Sequence, residues 1–565
     1  MRDMITIGGG SAFFIDSATA VPQLLDARVD YIIFDYLAEG AMGLMGRMRA
    51  ADAESGFTGD FLDVHVGPFL QRIADGGPKI VANAGGVNPE GLARAVRARI
   101  AEMGLSLKVS AIGGDDLSGR TDELSGVKDM FSGKPLNFDG MTSCTAYLGA
   151  FPIAEALAQG ADIVITGRVV DSALALGALV HEFGWQSDEF DKLAAGTVIG
   201  HLIECGAQVT GGTFTDWREV SGWANIGAPI AECMPDGSCV LTKPEGTGGL
   251  VNRGTVAEQM LYEVGDPQAY LVPDVAVDFS TVVLEEDGEN RVRVTGATGR
   301  PAPATLKACL TRDEGWRAVA YQPVIGADAR AKAEKQSAAL FDRVNGMLRG
   351  QGKDAFSRTE AVYLGSDEEV VMKLVVEHAE PIGPQIFARE QFAAISAMAP
   401  GTSVAFGVQV VPMMELMCFL VPRENVTATI DGTPFDDPRD AAFDPGSVER
   451  PAVPGPDAEP KRSVPLEALA WARSGEKGET INIGVIARDA EDLPWLRAAL
   501  TESALRERLP DLGAFSVTVY DLPGTHSLNV VLDGALPGGI NASQRLDPAA
   551  KSIAQRLVRM KVPVG

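Results

Sequence analysis

Arg168 and Asp171 are candidates for binding a substrate and for moving a proton. They are a cation and a carboxylate, and both follow the same apolar run, residues 162–165, within a few positions of each other. An arginine can hold a carboxylate or a phosphate through two parallel hydrogen bonds, and an aspartate can orient it or accept a proton. A buried ion pair that only supports the fold is the alternative. We therefore take Arg168 as a candidate substrate-binding residue and Asp171 as a candidate catalytic residue.

A second ionisable pair is His201 and Glu204, which share one face of a predicted helix because they are three positions apart. With Cys205 adjacent, the two are candidate catalytic acid–base groups or weak metal ligands. Against a metal site, the sequence has only five histidines, and they are not clustered. A core histidine with satisfied hydrogen bonds is the alternative interpretation of His201.

Residues 245–249 form the sharpest loop signal in the sequence. Their glycines allow backbone N–H groups to approach a ligand, as in an anion-binding nest, and a lysine just before the loop can add a positive charge. The segment does not match the Walker phosphate-binding pattern, and a tight turn between a strand and the helix predicted over 255–264 is the alternative. The candidate anion-binding residues are Lys243, Gly246, Thr247, Gly248 and Gly249.

Two further glycine-rich turns follow apolar runs at residues 4–7 and 79–82. The first does not complete the dinucleotide pattern Gly-x-Gly-x-x-Gly, because Phe13 stands at the last glycine position, so we expect neither NAD nor a flavin. Close approach to another polar or anionic group is the better use of these turns. The candidates for substrate binding are Gly9, Gly10, Asn83, Gly85 and Gly86.

Acids and amides stand at the ends of several predicted strands. Carboxylates that converge around glycine loops could hold a magnesium ion through oxygen ligands, or one of them could abstract a proton beside a carbonyl group. Aspartate and asparagine also cap helices, so a structural role is the alternative for each residue. The residues are Asp35, Asn83, Asn88, Asp115 and Asp116, of which Asp115 and Asp116 are the weak metal candidates.

The elements that must position these residues are short apolar runs at 4–7, 31–34, 79–82, 107–112 and 162–165. Such runs, separated by helical stretches, are typical of buried parallel strands in βα units. The sequence thus predicts an α/β fold with a mainly parallel sheet and flanking helices. Open sheets of this kind bind ligands beyond the carboxyl ends of their strands, where the candidate residues lie.

Composition and charge narrow the class of protein. The chain has 565 residues and a formal charge of −27, which argues against binding nucleic acid but leaves an anionic small molecule open. Six scattered cysteines, none in a Cys-x-x-Cys pair, predict no disulfide framework or structural zinc site. Because no signal peptide and no apolar stretch long enough for a membrane span are apparent, we expect a cytoplasmic protein.

The sequence predicts two domains. Residues 1–445 form the large α/β domain, with a change in composition near 210–280 that marks a sub-boundary. Residues 446–463 are a proline-rich linker. Residues 464–565 have the order β-α-β-β-α, which suits a ferredoxin-like α+β domain whose last strand is missing or frayed. Its predicted strands are 481–487, 515–522 and 528–532, its predicted helices are 493–509 and 548–560, and residues 474–478 are predicted as a polar turn before the first strand. An oligomer is compatible with this size and organisation.

Several segments go beyond a generic α/β pattern: residues 81–89, 166–172, 201–208, 211–217, 245–251 and 271–275. Together they resemble the acyclic terpene utilisation (AtuA-like) family over residues 3–445. The segments 473–478 and 482–485 resemble the ferredoxin-fold domain that often accompanies this family, with Glu476 where aspartate is usual. The resemblance implies a catabolic protein that works beside acyl-CoA enzymes, but it carries no assigned reaction.

We predict an enzyme that acts on a carboxylic acid or its acyl-CoA thioester, and the resemblance implies that this acid comes from branched-chain or terpenoid breakdown. A lyase or hydratase step fits best, since it needs acid–base groups and anion-binding groups but no redox cofactor. The CoA moiety of a substrate and a magnesium ion are the cofactors left open. One alternative is a non-catalytic acyl-CoA-binding or assembly subunit of a catabolic complex, and another is magnesium-dependent phosphoryl chemistry.

Overall fold

The computed structural model describes residues 2–404, 407–439 and 443–565. Its strands are β1 (Ile5–Ser11), β2 (Tyr31–Phe34), β3 (Lys79–Ala82), β4 (Val109–Gly113), β5 (Met141–Ala146), β6 (Ile163–Thr166), β7 (Ile230–Cys233), β8 (Cys239–Thr242), β9 (Tyr270–Leu271), β10 (Ala276–Asp278), β11 (Val283–Glu286), β12 (Val292–Thr295), β13 (Thr298–Arg300), β14 (Thr305–Ile325), β15 (Arg358–Gly365), β16 (Glu369–His378), β17 (Gln409–Pro422), β18 (Thr429–Ile430), β19 (Thr433–Pro434), β20 (Arg462–Pro465), β21 (Ala470–Lys477), β22 (Thr480–Ala487), β23 (Ser516–Leu522), β24 (Ser527–Asp533) and β25 (Lys561–Val564).

The helices are α1 (Ala20–Ala27), α2 (Glu39–Ala51), α3 (Leu70–Ala74), α4 (Pro89–Glu102), α5 (Phe151–Ala158), α6 (Ala173–Phe183), α7 (Phe190–Ile203), α8 (Arg253–Met260), α9 (Ala329–Gly350), α10 (Ile382–Ala397), α11 (Leu493–Ala499), α12 (Glu502–Arg508), α13 (Gly539–Ala542) and α14 (Ile553–Leu557). None of these helices has the length and apolar character needed to cross a lipid bilayer, a finding limited to the described residues.

The centre of the main sheet is parallel, in the order β1-β2-β3-β6-β4. Each of the predicted apolar runs forms one of these strands, so the predicted α/β class with a mainly parallel centre is confirmed. Antiparallel strands extend the sheet on both sides, β7, β8, β12 and β11 beyond β1, and β18 and β19 beyond β4. Since parallel strands share one direction, the turns that follow them all meet at one edge.

Both faces of the parallel centre are buried, as the continuous apolar runs predict. Successive residues of β2 show this, because Ile32 packs into one core with Leu24 of α1 while Ile33 packs into another core with the helices α5 to α7. Asn88 caps α4 by accepting a hydrogen bond from the backbone N–H of Gly91 at 3.1 Å, ahead of Pro89 in the first helical turn.

A second, antiparallel sheet is built around the long strand β14. β14 pairs with β16 and β17 along its length and with β5 at its start, while β15 adds to the far side of β16. Helices α9 and α10 cover one face of this sheet and form a core with it. Because β5 comes from the first part of the chain, this sheet is tied directly to the carboxyl edge of the parallel strands.

The C-terminal residues form an antiparallel sheet in the order β21-β22-β24-β23, covered by α11, α12 and α14. The predicted ferredoxin-like α+β class is confirmed, with two corrections to its elements. The segment 474–478, predicted as a turn, belongs mostly to β21, since its residues pair with β22. The predicted helix over 493–509 is interrupted at Leu500 and Thr501, and Thr501 caps the second part, α12.

The last strand of this domain, predicted to be missing or frayed, is formed as β25. It pairs with β20 and not with the main C-terminal sheet. The bounds predicted for the linker and the two domains stay predictions.

The C-terminal sheet lies against the large domain. Trp471 Nε1 and Arg488 Nη1 each lie 2.7 Å from Asp216 Oδ2, and Asn482 donates to the carbonyl of Leu261 at 2.6 Å.

Candidate functional site

The polar residues that follow the parallel strands do meet at one edge of the sheet. Asn83, after β3, donates a hydrogen bond to Asp35, after β2, over 2.5 Å, and its carbonyl oxygen accepts from the backbone of Tyr36 at 2.7 Å. Asp115, after β4, accepts from the backbone N–H of Arg168, after β6, at 2.8 Å. The sheet therefore places these predicted residues together.

Arg168 is the most deeply buried cation of this group, with 1% of the residue exposed. Its Nη2 lies 3.3 Å from Asp171 Oδ1, Nη1 donates to the carbonyl of Leu37, and the guanidinium stacks 4.3 Å from the ring centre of Tyr147. Burial would lower the pKa of Arg168, but Tyr147 and Asp171 hold it well above its usual range. Arg168 thus stays charged and supports Asp171 from behind.

Two further acids lie near Asp171. Burial, and then the charge of Asp171, raise the pKa of Asp35 and of Glu204 well above the usual range of a carboxyl group. Both effects favour the neutral form of these two acids. Two polar atoms of this group, Asp171 Oδ1 and Glu204 Oε2, are buried and have no hydrogen-bond partner among the described residues. Orphaned buried polar atoms that converge are typical of a functional site.

His201 and Glu204 form a hydrogen-bonded pair, Nδ1 to Oε1 at 3.0 Å. The other ring nitrogen, Nε2, lies 3.2 Å from the carbonyl of Met260, which can only accept, so Nε2 carries the proton. Burial lowers the pKa of His201 to about 4, which leaves the ring neutral and Nδ1 an acceptor. The protonated Glu204 must then be the donor, in agreement with its raised pKa. His201 is fixed between two partners and does not line the cavity described below.

A second set of charged residues comes from α2 and β14, and the sequence did not predict that they belong to the site. Glu39 Oε1 accepts from the Tyr147 hydroxyl at 2.7 Å and from Lys307 Nζ at 3.0 Å. Burial alone would raise the pKa of Glu39, but Lys307, Lys477 and Arg168 hold it well below its usual range. Lys307 is thereby fixed with its ammonium group beside Tyr147, 5.1 Å from the ring centre.

The third part of the site comes from the C-terminal domain. Alternate residues of β21 share one face of the strand, and Arg473, Gly475 and Lys477 turn this face towards Tyr262 and Glu263 of the large domain. Arg473 stacks on the Tyr262 ring at 4.5 Å, and Lys477 Nζ lies 3.3 Å from Glu263 Oε2. A Cβ at Gly475 would meet Tyr262 Cε2 at 2.7 Å, so only glycine allows this close approach.

These three groups border one cavity of about 450 Å³. Asp171, Lys307, Lys477 and Glu263 lie on its polar side. The rest of its wall is largely apolar and comes from both domains, and includes Met130, Phe131, Val170, Leu306, Leu420 and Val531. An enclosed apolar space at a domain interface, with a few convergent polar groups, is the usual form of a small-molecule site.

The predicted glycines at the strand ends serve close packing. A Cβ at Gly9 would meet the Ile203 carbonyl oxygen at 2.2 Å, and one at Gly10 would meet the Phe34 ring at 2.7 Å. At Gly85 a Cβ would meet Pro89, and Gly86 combines a positive φ of 55° with Met45 against its Cα. Their lack of a side chain is therefore explained by neighbouring protein atoms.

The loop 245–249 bonds mainly to neighbouring protein atoms, and its role in anion binding stays a prediction. The amides of Gly248 and Gly249, expected to bind an anion, donate instead to the carbonyls of Asn225 and Ser221 at 2.7 and 2.8 Å. Lys243 Nζ donates to the carbonyl of Thr247 at 2.8 Å, and Thr247 donates through its hydroxyl to Pro244. The loop borders a different cleft, beside α1, and the helix expected after it begins at Arg253 instead of 255 and ends at Met260 instead of 264.

The weak metal candidates have other partners. Asp115 accepts the Arg168 backbone N–H, and burial raises its pKa to about 7. Asp116 is half-exposed and accepts from the backbone of Ser118 at 2.9 Å. In the part of the chain that the structure describes, no group of three or more His, Cys, Asp or Glu side chains is placed to hold a metal ion.

The residues that sequence reasoning missed had weak signals. Lys307 is one of three cations in the long strand β14, and Glu39 lies in the first turn of α2. Lys477 was part of a quoted motif, but it was assigned to a turn. Each of these residues comes from a different sheet or helix, and only the tertiary fold brings them to one cavity.

Fold and site together define a two-domain α/β protein that encloses a small-molecule cavity between its domains. Residues 5–431 match the family described as acyclic terpene utilisation family protein AtuA, and residues 464–563 match the AtuA ferredoxin-like domain. Since the first match spans most of the chain, the chain belongs to the acyclic terpene utilisation family AtuA, as its motifs predicted. The name of the family assigns it to terpene catabolism. No curated protein matches the chain.

Proposed function

We propose that the protein is an enzyme that adds water to, or removes it from, a branched-chain or terpenoid carboxylic acid or its CoA thioester. The observation that carries this proposal is the single cavity in which an apolar wall ends at the Asp171 carboxylate and the Lys307 ammonium group. The membership of the terpene utilisation family supports a hydrocarbon-rich substrate.

The apolar wall is suited to the hydrocarbon part of the substrate. Burial of apolar surface contributes about 25 cal/mol per Å², so a branched chain of about ten carbons supplies most of the binding free energy. The polar end of the same cavity then fixes the direction of binding, with the carboxyl end of the substrate beside Lys307. An ammonium group in this position stabilises negative charge on the carboxyl oxygen.

Asp171 is the residue we assign to proton transfer. In hydration, its carboxylate takes a proton from a water molecule while the water oxygen bonds to carbon 3 of a 2,3-double bond. The electron pair of that double bond moves towards the carboxyl oxygen beside Lys307, and a proton then returns to carbon 2. Arg168 is a positioning residue, because it contacts Asp171 at 3.3 Å and lies behind it.

The test is turnover of ten-carbon acyclic terpenoid acids with a 2,3-double bond, as free acids and as CoA thioesters. Product formation is followed by chromatography and mass spectrometry, with EDTA present to remove metal ions. Asp171→Asn keeps the shape of the side chain but removes the proton acceptor, so we expect kcat to fall by about 10²- to 10⁴-fold. Binding of the substrate to this variant should change by less than tenfold.

Controls separate the alternatives. Asp116→Asn replaces an aspartate that does not line the cavity, and its kcat should equal that of the unaltered protein. Tight binding of a thioester with no turnover by any substrate would instead favour an acyl-CoA-binding subunit. Turnover that Asp171→Asn leaves intact would contradict the proposed role of Asp171.

A further inference from the structure

The C-terminal domain places a second ammonium group, Lys477, on the polar side of the cavity. We infer that Lys477 binds the carboxylate of the substrate together with Lys307, so that the active site is complete only when both domains of one chain contribute. This inference rests on the proposed function, because it names the residue that holds the carboxyl end and the charge of the substrate.

Lys477 lines the cavity from the C-terminal domain. Its side chain is 38% exposed although β21 lies between the two domains. Lys307 lines the same cavity and, like Lys477, holds the pKa of Glu39 down. Two ammonium groups therefore line the same cavity as the carboxylates of Asp171, Glu263, Asp266 and Asp533, and the two lysines are the cations among its lining residues. As charged donors they suit the carboxylate of a ligand better than a neutral oxygen.

Residues other than Lys477 hold the C-terminal domain against the large domain. Arg473 stacks on Tyr262, Trp471 donates to Asp216, and Asn482 donates to Leu261, all without the lysine. The carboxylate of Glu263 has a further cation, because Lys551 Nζ lies 3.1 Å from its Oε1. The ion pair with Lys477 is thus not the only charge partner of Glu263, and Lys477 is available to a ligand.

Glu263 holds Lys477 in place. Its backbone has φ = 59°, in the left-handed region that side chains other than glycine and asparagine rarely adopt. Its N–H donates to Asn482 Oδ1 of the C-terminal domain at 2.9 Å. Strained backbone of this kind is concentrated at functional sites, where the surrounding structure fixes it. Here it directs a carboxylate towards the lysine at the cavity.

The proposal is tested by calorimetric binding of two ligands to the full chain: a ten-carbon acyclic terpenoid acid and the primary alcohol of the same carbon skeleton. Lys477→Met should weaken binding of the acid by about ten- to a hundredfold, the usual effect of losing a charge-assisted hydrogen bond. Binding of the uncharged alcohol should change by less than threefold. Lys477→Arg, which keeps the charge, should recover most of the affinity for the acid.

The matched control is Lys551→Met, which removes the other cation of Glu263 but is not part of the cavity. It should leave the affinity for both ligands unchanged. If Lys477→Met does not fold, the double variant Lys477→Met/Glu263→Gln removes the ion pair as a unit and is tested in its place. Equal effects of the two lysine variants, or an equal loss for acid and alcohol, would overturn the proposal.

The thioester forms a separate arm of the test. The CoA thioester of the same acid should lose less affinity than the free acid in Lys477→Met, since its carbonyl oxygen carries no full charge. A greater loss for the thioester would overturn the assignment of a carboxylate ligand. Binding is measured without turnover, so an inactive protein with the expected binding pattern would contradict the proposed function and leave this inference standing.

Discussion

The cavity between the domains and the loop 245–249 both contain polar groups that attract attention in the sequence, but they differ in how these groups are satisfied. At the cavity, Asp171 Oδ1 is buried without a hydrogen-bond partner among the described residues, and so is Oε2 of the nearby Glu204. In the loop, the amides of Gly248, Gly249 and Leu250 all donate to nearby carbonyls.

This difference distinguishes residues that serve packing from residues that act on a ligand. A glycine whose amide is already bonded and whose Cα touches another backbone is there for packing. A buried polar atom that lacks a hydrogen-bond partner costs free energy, and such a cost is typical of groups that act on a ligand. The comparison predicts that changes in the loop affect stability and changes at the cavity affect binding and turnover.

The largest stability effect is expected at Gly248. A Cβ there would lie 2.1 Å from the Gly222 carbonyl oxygen, and a backbone atom cannot move away cheaply. Gly248→Ala should therefore lower the free energy of unfolding by about 3 kcal/mol, measured by urea unfolding. Turnover per folded molecule should stay within twofold of the unaltered protein, and a specific loss of activity would contradict the comparison.

Gly246 supplies the control within the same loop. A Cβ at this position meets no atom within 4 Å, and only its φ of 75° opposes a side chain. Gly246→Ala should cost about 1 kcal/mol, the usual price of a left-handed conformation. A larger loss at Gly246 than at Gly248 would show that backbone conformation, rather than close packing, limits the loop.

A gain in stability that depends on pH, rather than a loss, is expected on replacing Asp115, which accepts a hydrogen bond from the backbone of Arg168. Burial raises its pKa to about 7 from a usual value of 3.8, so ionisation favours the unfolded chain. This residue's contribution to stability is complete below pH 3.8 and is lost as the pH rises to about 7, at up to about 1.4 kcal/mol per pH unit. Asp115→Asn should flatten the pH dependence of unfolding within this window.

Asp116→Asn is the control for that measurement. Its side chain is half-exposed, so this variant makes the same change of residue type next to Asp115 without altering a buried carboxyl group. The stability difference between Asp115→Asn and the unaltered protein should grow from pH 4 to pH 7 in favour of the variant. A difference that is constant over this range would show that Asp115 does not titrate in the folded protein.

The smallest effect is expected at Thr247. Its hydroxyl donates to the Pro244 carbonyl oxygen at 2.6 Å, and the residue is only partly buried. Thr247→Val keeps the shape and removes this hydrogen bond, so the free energy of unfolding should fall by about 1 kcal/mol. Ligand binding at the cavity, measured by calorimetry, should be unchanged. An altered affinity would connect the loop to the cavity and break the comparison.

The parallel core could be predicted from the sequence because it depends on local patterns. Runs such as 31–34 and 79–82 are apolar on both faces, and each ends in a polar or glycine-rich turn. Their shared direction then brings Asp35, Asn83 and Arg168 to one edge without further information. The pairing of His201 with Glu204 also followed from helical spacing.

The rest of the site could not be predicted in this way. Lys307 and Lys477 are 170 positions apart in the chain, and their strands, β14 and β21, belong to different antiparallel sheets. The sequence of an antiparallel strand shows which of its residues share a face, but it does not show which residues of the protein lie opposite that face. The same limit explains the loop 245–249, whose amides are satisfied by residues 221 and 225.

The face of β21 that meets Tyr262 and Glu263 has a consequence for synthesis on the ribosome. Chains emerge from their amino ends, and domains usually fold in that order. The large domain can therefore fold while Lys477 is still inside the ribosome, with Glu263 and the apolar wall of its half-cavity open to water. The nascent protein passes through a stage in which its fold is largely made but its ligand site is not, and the last hundred residues close it.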